Sequence, residues 1–167
     1  EPESVSEVSE LLGRFGDSAK IYAGGTELLL AMKEGLVEYE RLINVKKLKC
    51  KDVTVANGAL SMGALCTHRE LETSRAINEK LPALAKLEHN VANVRVRQVG
   101  TIGGNICFAE PHADPGTLLI ALGAKMLAEK SSSQREIEAE KFFVDAFETA
   151  LEPDEVLTKI VVPVPSP

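Results

Sequence analysis

Tryptophan is absent from this 167-residue chain, and there are only two tyrosines and five phenylalanines. So few aromatic rings cannot build the base-stacking platform of a single-strand nucleic-acid binder. Positive charge is also short. The formal net charge of −6 argues against generic attraction to nucleic acid or to an anionic membrane. Long apolar runs are missing as well. The longest, residues 28–32 and 118–122, fall far below the roughly 20 residues of a membrane-spanning helix. Cysteine is limited to Cys50, Cys66 and Cys107. Their odd number and wide spacing match no zinc or iron–sulfur pattern, so they read as reduced core residues of a cytoplasmic protein. His68, His89 and His112 are too dispersed for a metal centre and read as surface or hydrogen-bonded residues. The dinucleotide fingerprint G-x-G-x-x-G, the P-loop and the nucleophile elbow G-x-S-x-G are all absent, and no nucleophile is paired with a base. The opening residues carry no basic and apolar targeting pattern. The lack of an initiator Met suggests a trimmed chain.

What remains is an ordinary globular composition, 44% hydrophobic and 26% charged. A chain of this size forms one domain or two small lobes sharing a core, and buries roughly 70% of its unfolded surface without disulfide or metal. Val5, Val8, Leu11, Leu12 and Phe15 line one helical face, capped by Ser4 or Ser6 and ended by Gly16. A strand at 20–23, a helix capped by Thr26 through 33 and a strand at 42–45 make a compact βαβ unit. Asn57-Gly58 between two alternating runs signals a hairpin. Thr67 caps a helix through 74, and another spans 81–87 with Pro82 in its first turn. Arg95 and Arg97 alternate with Val94 and Val96, which places both arginines on one face if the segment is extended. Residues 116–122 read as a short apolar helix. Residues 125–129 and 135–138 form a second hairpin around the serine tip 131–133. A last strand covers 154–162, and the proline-rich 163–167 resembles a linker. The class is α+β, with a small lobe over 1–50 and a larger one over 51–167.

Two glycine pairs stand out: Ala23-Gly24-Gly25-Thr26-Glu27 and Thr101-Ile102-Gly103-Gly104-Asn105. Each follows an apolar lead-in and is flanked by short polar side chains. Glycine lets the main chain approach a ligand closely and adopt positive φ, so a pair of such turns suits one anionic group held from two sides by backbone N–H groups. Gly24 and Gly25 open onto a helix start, where the helix dipole favours phosphate. Thr101 and Asn105 add uncharged donors. Asp114, nine positions beyond Asn105, supplies the acidic residue that often accepts from nucleotide sugar hydroxyls. A dinucleotide-like cofactor is the expected ligand.

These segments, with Arg97-Gln98-Val99-Gly100 before the second pair, Pro111-His112-Ala113-Asp114 after it and the stretch 118–124, resemble the FAD-binding domain of the molybdenum-containing hydroxylases. That family includes the medium subunit of carbon monoxide dehydrogenase and the central domain of xanthine dehydrogenase. The resemblance runs over essentially the whole chain, including residues 151–163. It implies a two-lobed flavin domain of the p-cresol methylhydroxylase type, with extended, noncovalent FAD between the lobes. Ile21, Tyr22, Ala23, Gly24, Gly25, Thr26, Glu27 and Leu28 would wrap the pyrophosphate from one side. Thr101, Ile102, Gly103, Gly104 and Asn105 would hold it from the other, Asp114 would contact polar FAD atoms, and Val91 and Leu157 would make apolar contacts.

The resemblance further implies an oxidoreductase subunit that passes electrons from iron–sulfur clusters to an external acceptor such as NAD or oxygen, while a molybdenum subunit oxidises the substrate. No catalytic acid, base, nucleophile or metal ligand is expected on this chain. The implied partners are a molybdopterin-binding large subunit and a [2Fe-2S] small subunit. The family's C-terminal domain, with the lysine some members place there, has no counterpart before Pro167, so either the chain is an excised piece or a separate polypeptide, as a further partner, completes the site. Glu27 stands where many relatives carry Asp or Ser. The rival reading is a scaffold module that has lost its cofactor.

Overall fold

The computed structural model describes residues 1–164. Helix α1 (Val5–Phe15) begins where the Ser4 side chain accepts from the Glu7 N–H, and it buries Val8, Ser9 and Leu12. This is the capped amphipathic helix the spacing predicts. A single 3-10 turn (Gly16–Ser18) leads into β1 (Ala19–Tyr22). Helix α2 (Leu28–Lys33) then crosses to β2 (Arg41–Asn44), which lies parallel to β1 with Ile21 opposite Ile43. The βαβ unit is therefore present. Its helix starts at Leu28, one residue later than the Thr26 cap predicts, with Glu27 in the cap position and no side-chain cap.

The larger sheet has five antiparallel strands in the order β3-β4-β9-β5-β6. β3 (Val53–Ala56) and β4 (Ala59–Gly63) are joined by Asn57 and Gly58, at φ 51° and 74°. Two consecutive positive φ values are what a tight primed turn requires. β5 (Lys125–Lys130) and β6 (Ser133–Glu138) form the second hairpin, with a two-residue tip one serine tighter than expected. β9 (Val156–Pro163) runs between β4 and β5 at the centre of the sheet. Pro163 closes it opposite Ala59, while residues 165–167 of the expected linker lie outside the described residues.

Between β4 and β5 the chain makes six short helices: α3 (His68–Thr73), α4 (Arg75–Lys80), α5 (Pro82–Asn90), α6 (Val94–Val99), α7 (Ile102–Phe108) and α8 (Asp114–Ala121). The brief α9 (Ala139–Phe142) and a small hairpin, β7 (Phe143–Asp145) with β8 (Glu148–Thr149), follow β6. Helix α3 opens with a full capping box between Thr67 and Glu70, satisfying two end amides reciprocally. The α6 segment corrects the extended reading. Val-Arg alternation favours a strand, but the Asn93 side chain accepts from the amides of Arg95 and Val96 and starts a helix instead. The two arginines therefore part company: Arg95 is exposed and Arg97 is buried.

Two apolar clusters hold these layers together. The larger joins Leu60, Met62, Met126, Ile160 and Val162 of the sheet to Leu71, Leu84, Ile102 and Leu119 of the helices. The smaller draws Val8, Leu12, Ala19, Ile43, Val45 and Leu48 from the first fifty residues, but also Leu65 and Val156. Strand β9 thus belongs to both clusters.

Candidate functional site

The two glycine segments, far apart in sequence, lie against each other. Gly24 packs onto the backbone of the second segment's lead-in. A β-carbon at 24 would sit 2.8 Å from Gly100 Cα and would overlap the Val99 carbonyl. Gly100 in turn faces Thr26, whose Oγ1 is 3.3 Å from where a Gly100 β-carbon would lie. Gly25, at φ 76°, rests on the Tyr22 ring. Lys46 Nζ donates to Tyr22 Oη at 3.1 Å and lies 4.4 Å from the ring centroid, so a cation stands by this turn.

The two segments differ in their amides. Among the described residues, the N–H groups of Gly24, Gly25, Thr26 and Glu27 have no acceptor within the chain. In the second segment the four amides from Ile102 to Asn105 are occupied. Ile102 N–H donates to Cys66 O at 3.0 Å, Gly103 N–H to Ala64 O at 2.9 Å and Asn105 N–H to Thr101 O at 3.0 Å. Gly104 N–H donates to Thr101 Oγ1 at 3.1 Å. Over 102–105 the expected backbone cradle therefore gives way to the closed first turn of α7, because the run 64–66 supplies carbonyls to amides that a helix start leaves unpaired. Side chains remain available there. Asn105 Oδ1 is buried and has no partner among the described residues, which is unusual for a buried polar atom and suits one that meets a ligand.

The two glycines of α7 have separate tasks. A β-carbon at Gly103 would come within 2.6 Å of Ala64 Cβ and Ala64 O, so Gly103 permits α7 to pack on the chain behind it. Gly104 is exposed, and only the Thr101 cap hydroxyl, at 2.9 Å, would crowd a β-carbon there. That leaves a surface on which a ligand can approach the main chain.

The remaining predicted residues are less concentrated. Ile21 pairs with Ile43 in the parallel ladder, and Ala23 packs against the smaller cluster. Leu28 is half-buried at the start of α2, beside exposed Glu27. Asp114 is exposed in the first turn of α8. Val91 is half-buried at the end of α5, and Leu157 is a member of the larger core cluster. His112 is exposed and bonded to Glu110 at 2.8 Å, which raises its pKa above the usual histidine range.

Sequence reasoning missed the supports of this site. Arg97 Nε donates to Glu72 Oε2 at 3.1 Å, and Nη1 donates to the carbonyls of Val91 and Ala92. Glu72 also meets His89 and Arg69, each at 2.7 Å. The His89 hydrogen bond above all, helped by Arg69 and Arg97, holds its carboxyl down at about 2. Helices α3, α5 and α6 are tied together there. The sequence alone places His68 at the surface or in a hydrogen bond. It is buried, and its Nδ1 lies 2.6 Å from Oε2 of the fully buried Glu88. The signal for Glu88 was present: Leu81, Leu84, Ala85 and Glu88 recur at helical spacing, so a glutamate occupies a core-facing position of α5. A pocket of about 520 Å³ opens between Leu48, Cys50, Asp52, Gly63, Glu129 and Lys159, but neither glycine pair lines it.

Open amides on one segment and an unpartnered amide oxygen on the other fit an extended ligand that carries both an anionic group and a hydrogen-bond donor. Comparison with known proteins agrees. A family model described as the FAD binding domain in molybdopterin dehydrogenase matches residues 1–165. The carbon monoxide dehydrogenase medium chain of Hydrogenophaga pseudoflava is 34% identical over 163 residues, spanning 97% of this chain and 57% of that relative. The xanthine dehydrogenase FAD-binding subunit of Escherichia coli O157:H7 is 29% identical over 141 residues, 83% of this chain and 48% of its own. A solved Hydrogenophaga pseudoflava carbon monoxide dehydrogenase, lacking the Mo-pyranopterin moiety, superposes with TM-score 0.96 at 34% identity over 99% of this chain and 58% of that one. Quinoline 2-oxidoreductase from Pseudomonas putida 86 gives 0.95 at 32% identity, with the same coverage. The chain spans about half the length of these relatives.

Proposed function

The chain belongs to the family of FAD binding domains in molybdopterin dehydrogenases, and from that premise we propose that it binds FAD noncovalently as the electron-transfer component of a molybdenum hydroxylase complex. The observation that carries this reading is the contact of Gly24 with Val99 and Gly100. It joins the open amides of the first segment to the side chains of the second. The cofactor would lie along the seam between residues 1–50 and the larger remainder.

The roles divide by chemistry. The amides of Gly24, Gly25, Thr26 and Glu27 donate to the pyrophosphate, where backbone dipoles stabilise negative charge without a lysine in the motif. Asn105 offers its Nδ2 N–H from the other side, leaving its buried Oδ1 to accept from a donor of the ligand, and the Thr101 hydroxyl donates while still accepting from Gly104. Ile102 and Gly103 fix the α7 start. Ile21, Tyr22, Ala23 and Leu28 hold the first turn in place. Asp114 is placed to accept from hydroxyls of the ligand. Val91 and Leu157 contribute apolar packing around it.

Bound FAD supplies the exchange of electrons between iron–sulfur clusters and an external acceptor. The protein's share is binding and orientation, so no general acid, base or nucleophile is assigned. The proposed partners are a molybdopterin-binding large subunit and a [2Fe-2S] small subunit, by analogy with the carbon monoxide dehydrogenase and xanthine dehydrogenase subunits named above. A cytoplasmic setting is supported by three free cysteines, and no helix among the described residues is long and apolar enough to cross a membrane.

The test is an absorbance spectrum of the flavin-domain polypeptide, isolated with its partner subunits. One FAD per chain, released by denaturation without covalent residue, is the expected result. Isolation of an intact complex with no flavin would sink the reading and favour a scaffold.

A further inference from the structure

We infer that His68, oriented by Glu88, is a positioning residue that sets the spacing between the two glycine segments. This rests on the FAD reading. Three contacts make the case. The His68 N–H donates to Gly100 O at 3.0 Å. Its ring lies against the same glycine, with Cδ2 3.2 Å from where a Gly100 β-carbon would sit. Gly100 in turn is what Gly24 and Thr26 rest upon. His68 is therefore the wall behind the seam: it fixes Gly100 by main chain and ring together, and Gly100 sets how closely the first segment approaches Asn105.

Glu88 holds that wall in place. Its side chain is 0% exposed, with Oε2 2.6 Å from His68 Nδ1 and Oε1 without a partner among the described residues. A buried carboxylate with one bond is a poor stabiliser, and well-packed apolar groups commonly do as well or better. Fold stability alone does not account for a glutamate among Leu84, Ala85 and Leu81. Fixing the plane and rotamer of an imidazole does, because a carboxylate bonded to one ring nitrogen locks its orientation. Residues 64–68 extend the same support. Ala64, Cys66 and His68 are each bonded to the stretch 100–103, and Thr67 bridges to Thr101. The second glycine segment is thus laid onto a template whose last member is His68.

The experiment measures FAD dissociation constants by fluorescence, with thermal midpoints alongside, for the flavin polypeptide in its complex. The variants are His68→Ala, His68→Asn and, as a comparator, Met126→Ala. Met126 lies in the larger core, on β5. His68→Ala is expected to weaken FAD binding about tenfold or more, the scale of a misplaced ligand-contacting segment. His68→Asn keeps a short donor toward Glu88 and should recover most of that loss, even if the alanine variant fails to fold. Met126→Ala should lower the midpoint while leaving FAD affinity near the parent value. Undiminished affinity in His68→Ala, no recovery in His68→Asn, or an equal loss of affinity in Met126→Ala would each overturn the inference. A parent complex that takes up no FAD would instead overturn the cofactor reading itself, and this inference with it.

Discussion

Gly24 and Gly100 meet without room for a β-carbon between them: one added at 24 would stand 2.8 Å from Gly100 Cα. This contact joins two segments that are 76 positions apart in the chain. It also makes Gly24 a load on the seam rather than a simple turn residue. Gly24→Ala should cost about 1–3 kcal/mol through overpacking and should weaken FAD binding further by pushing the segments apart. Denaturant melts and flavin titration of the same variant check both effects.

Gly103 and Gly104 should respond differently although they are neighbours. Alanine at 103 collides with Ala64 and should destabilise the fold by about 1–3 kcal/mol. Alanine at 104 disturbs only the Thr101 cap hydroxyl, a loss of roughly 1 kcal/mol or less. It nonetheless places a methyl group on the exposed ligand side, so its main effect should be on FAD affinity. Equal affinity losses for the two variants at equal stability would contradict this division.

Asn105 has a buried oxygen with no partner among the described residues, and leaving such an atom unpaired costs about 1–3 kcal/mol. Asn105→Ala should therefore leave the FAD-free protein as stable as the parent, or slightly more so, while the FAD-loaded protein loses affinity. Paired thermal melts with and without FAD read this out. A large drop in the FAD-free midpoint would show that the side chain serves the fold.

Glu72 gives a pH signature. Its carboxyl is lowered from 4.5 to about 2, chiefly by the His89 hydrogen bond. A depressed carboxyl stabilises the fold at pH above its unfolded value, and that contribution is lost as pH falls through the folded one. The thermal midpoint should thus fall between about pH 4.5 and 2. Glu72→Gln should flatten that fall and lower the midpoint at neutral pH, where Arg97 would lose its charged partner. Melting curves across this range decide it.

Cys66 is buried, with its thiol pushed up to about 11 by loss of solvent. Only the thiolate reacts readily, so iodoacetamide at neutral pH should leave Cys66 unmodified until denaturant is added. Peptide mass analysis before and after unfolding reads the difference.

Much of this architecture was legible in the sequence because its signals are local. The Asn57-Gly58 turn, the Thr67 cap, Pro82 in a first turn and the βαβ spacing each act within a few residues. The α6 segment misled because four valine and arginine residues, 94–97, alternate like a strand, while the deciding contacts, from the Asn93 cap and from Glu72, lie at or beyond its edge. The glycine pairs were visible as motifs, but their division of labour was not. Whether an amide is free depends on carbonyls such as Ala64 and Cys66, contributed from nearly forty positions upstream. Strand order was equally hidden: hydrophobic alternation marks β9 as a strand and says nothing of its neighbours.

That strand has a consequence in time. β9 sits at the middle of the sheet yet is made after every other strand of that sheet, and it supplies residues to both apolar clusters. While the chain is being synthesised, the hairpins on either side of it have no shared neighbour. Ala64, whose carbonyl receives the Gly103 amide, has to wait for Thr158 to accept its own amide. Such long-range closure is slow and leaves apolar faces open until it occurs. The seam proposed for the cofactor is therefore completed only once residues 156–163 have been made, and a nascent chain stopped short of residue 156 should be a client for chaperones rather than a receiver of flavin.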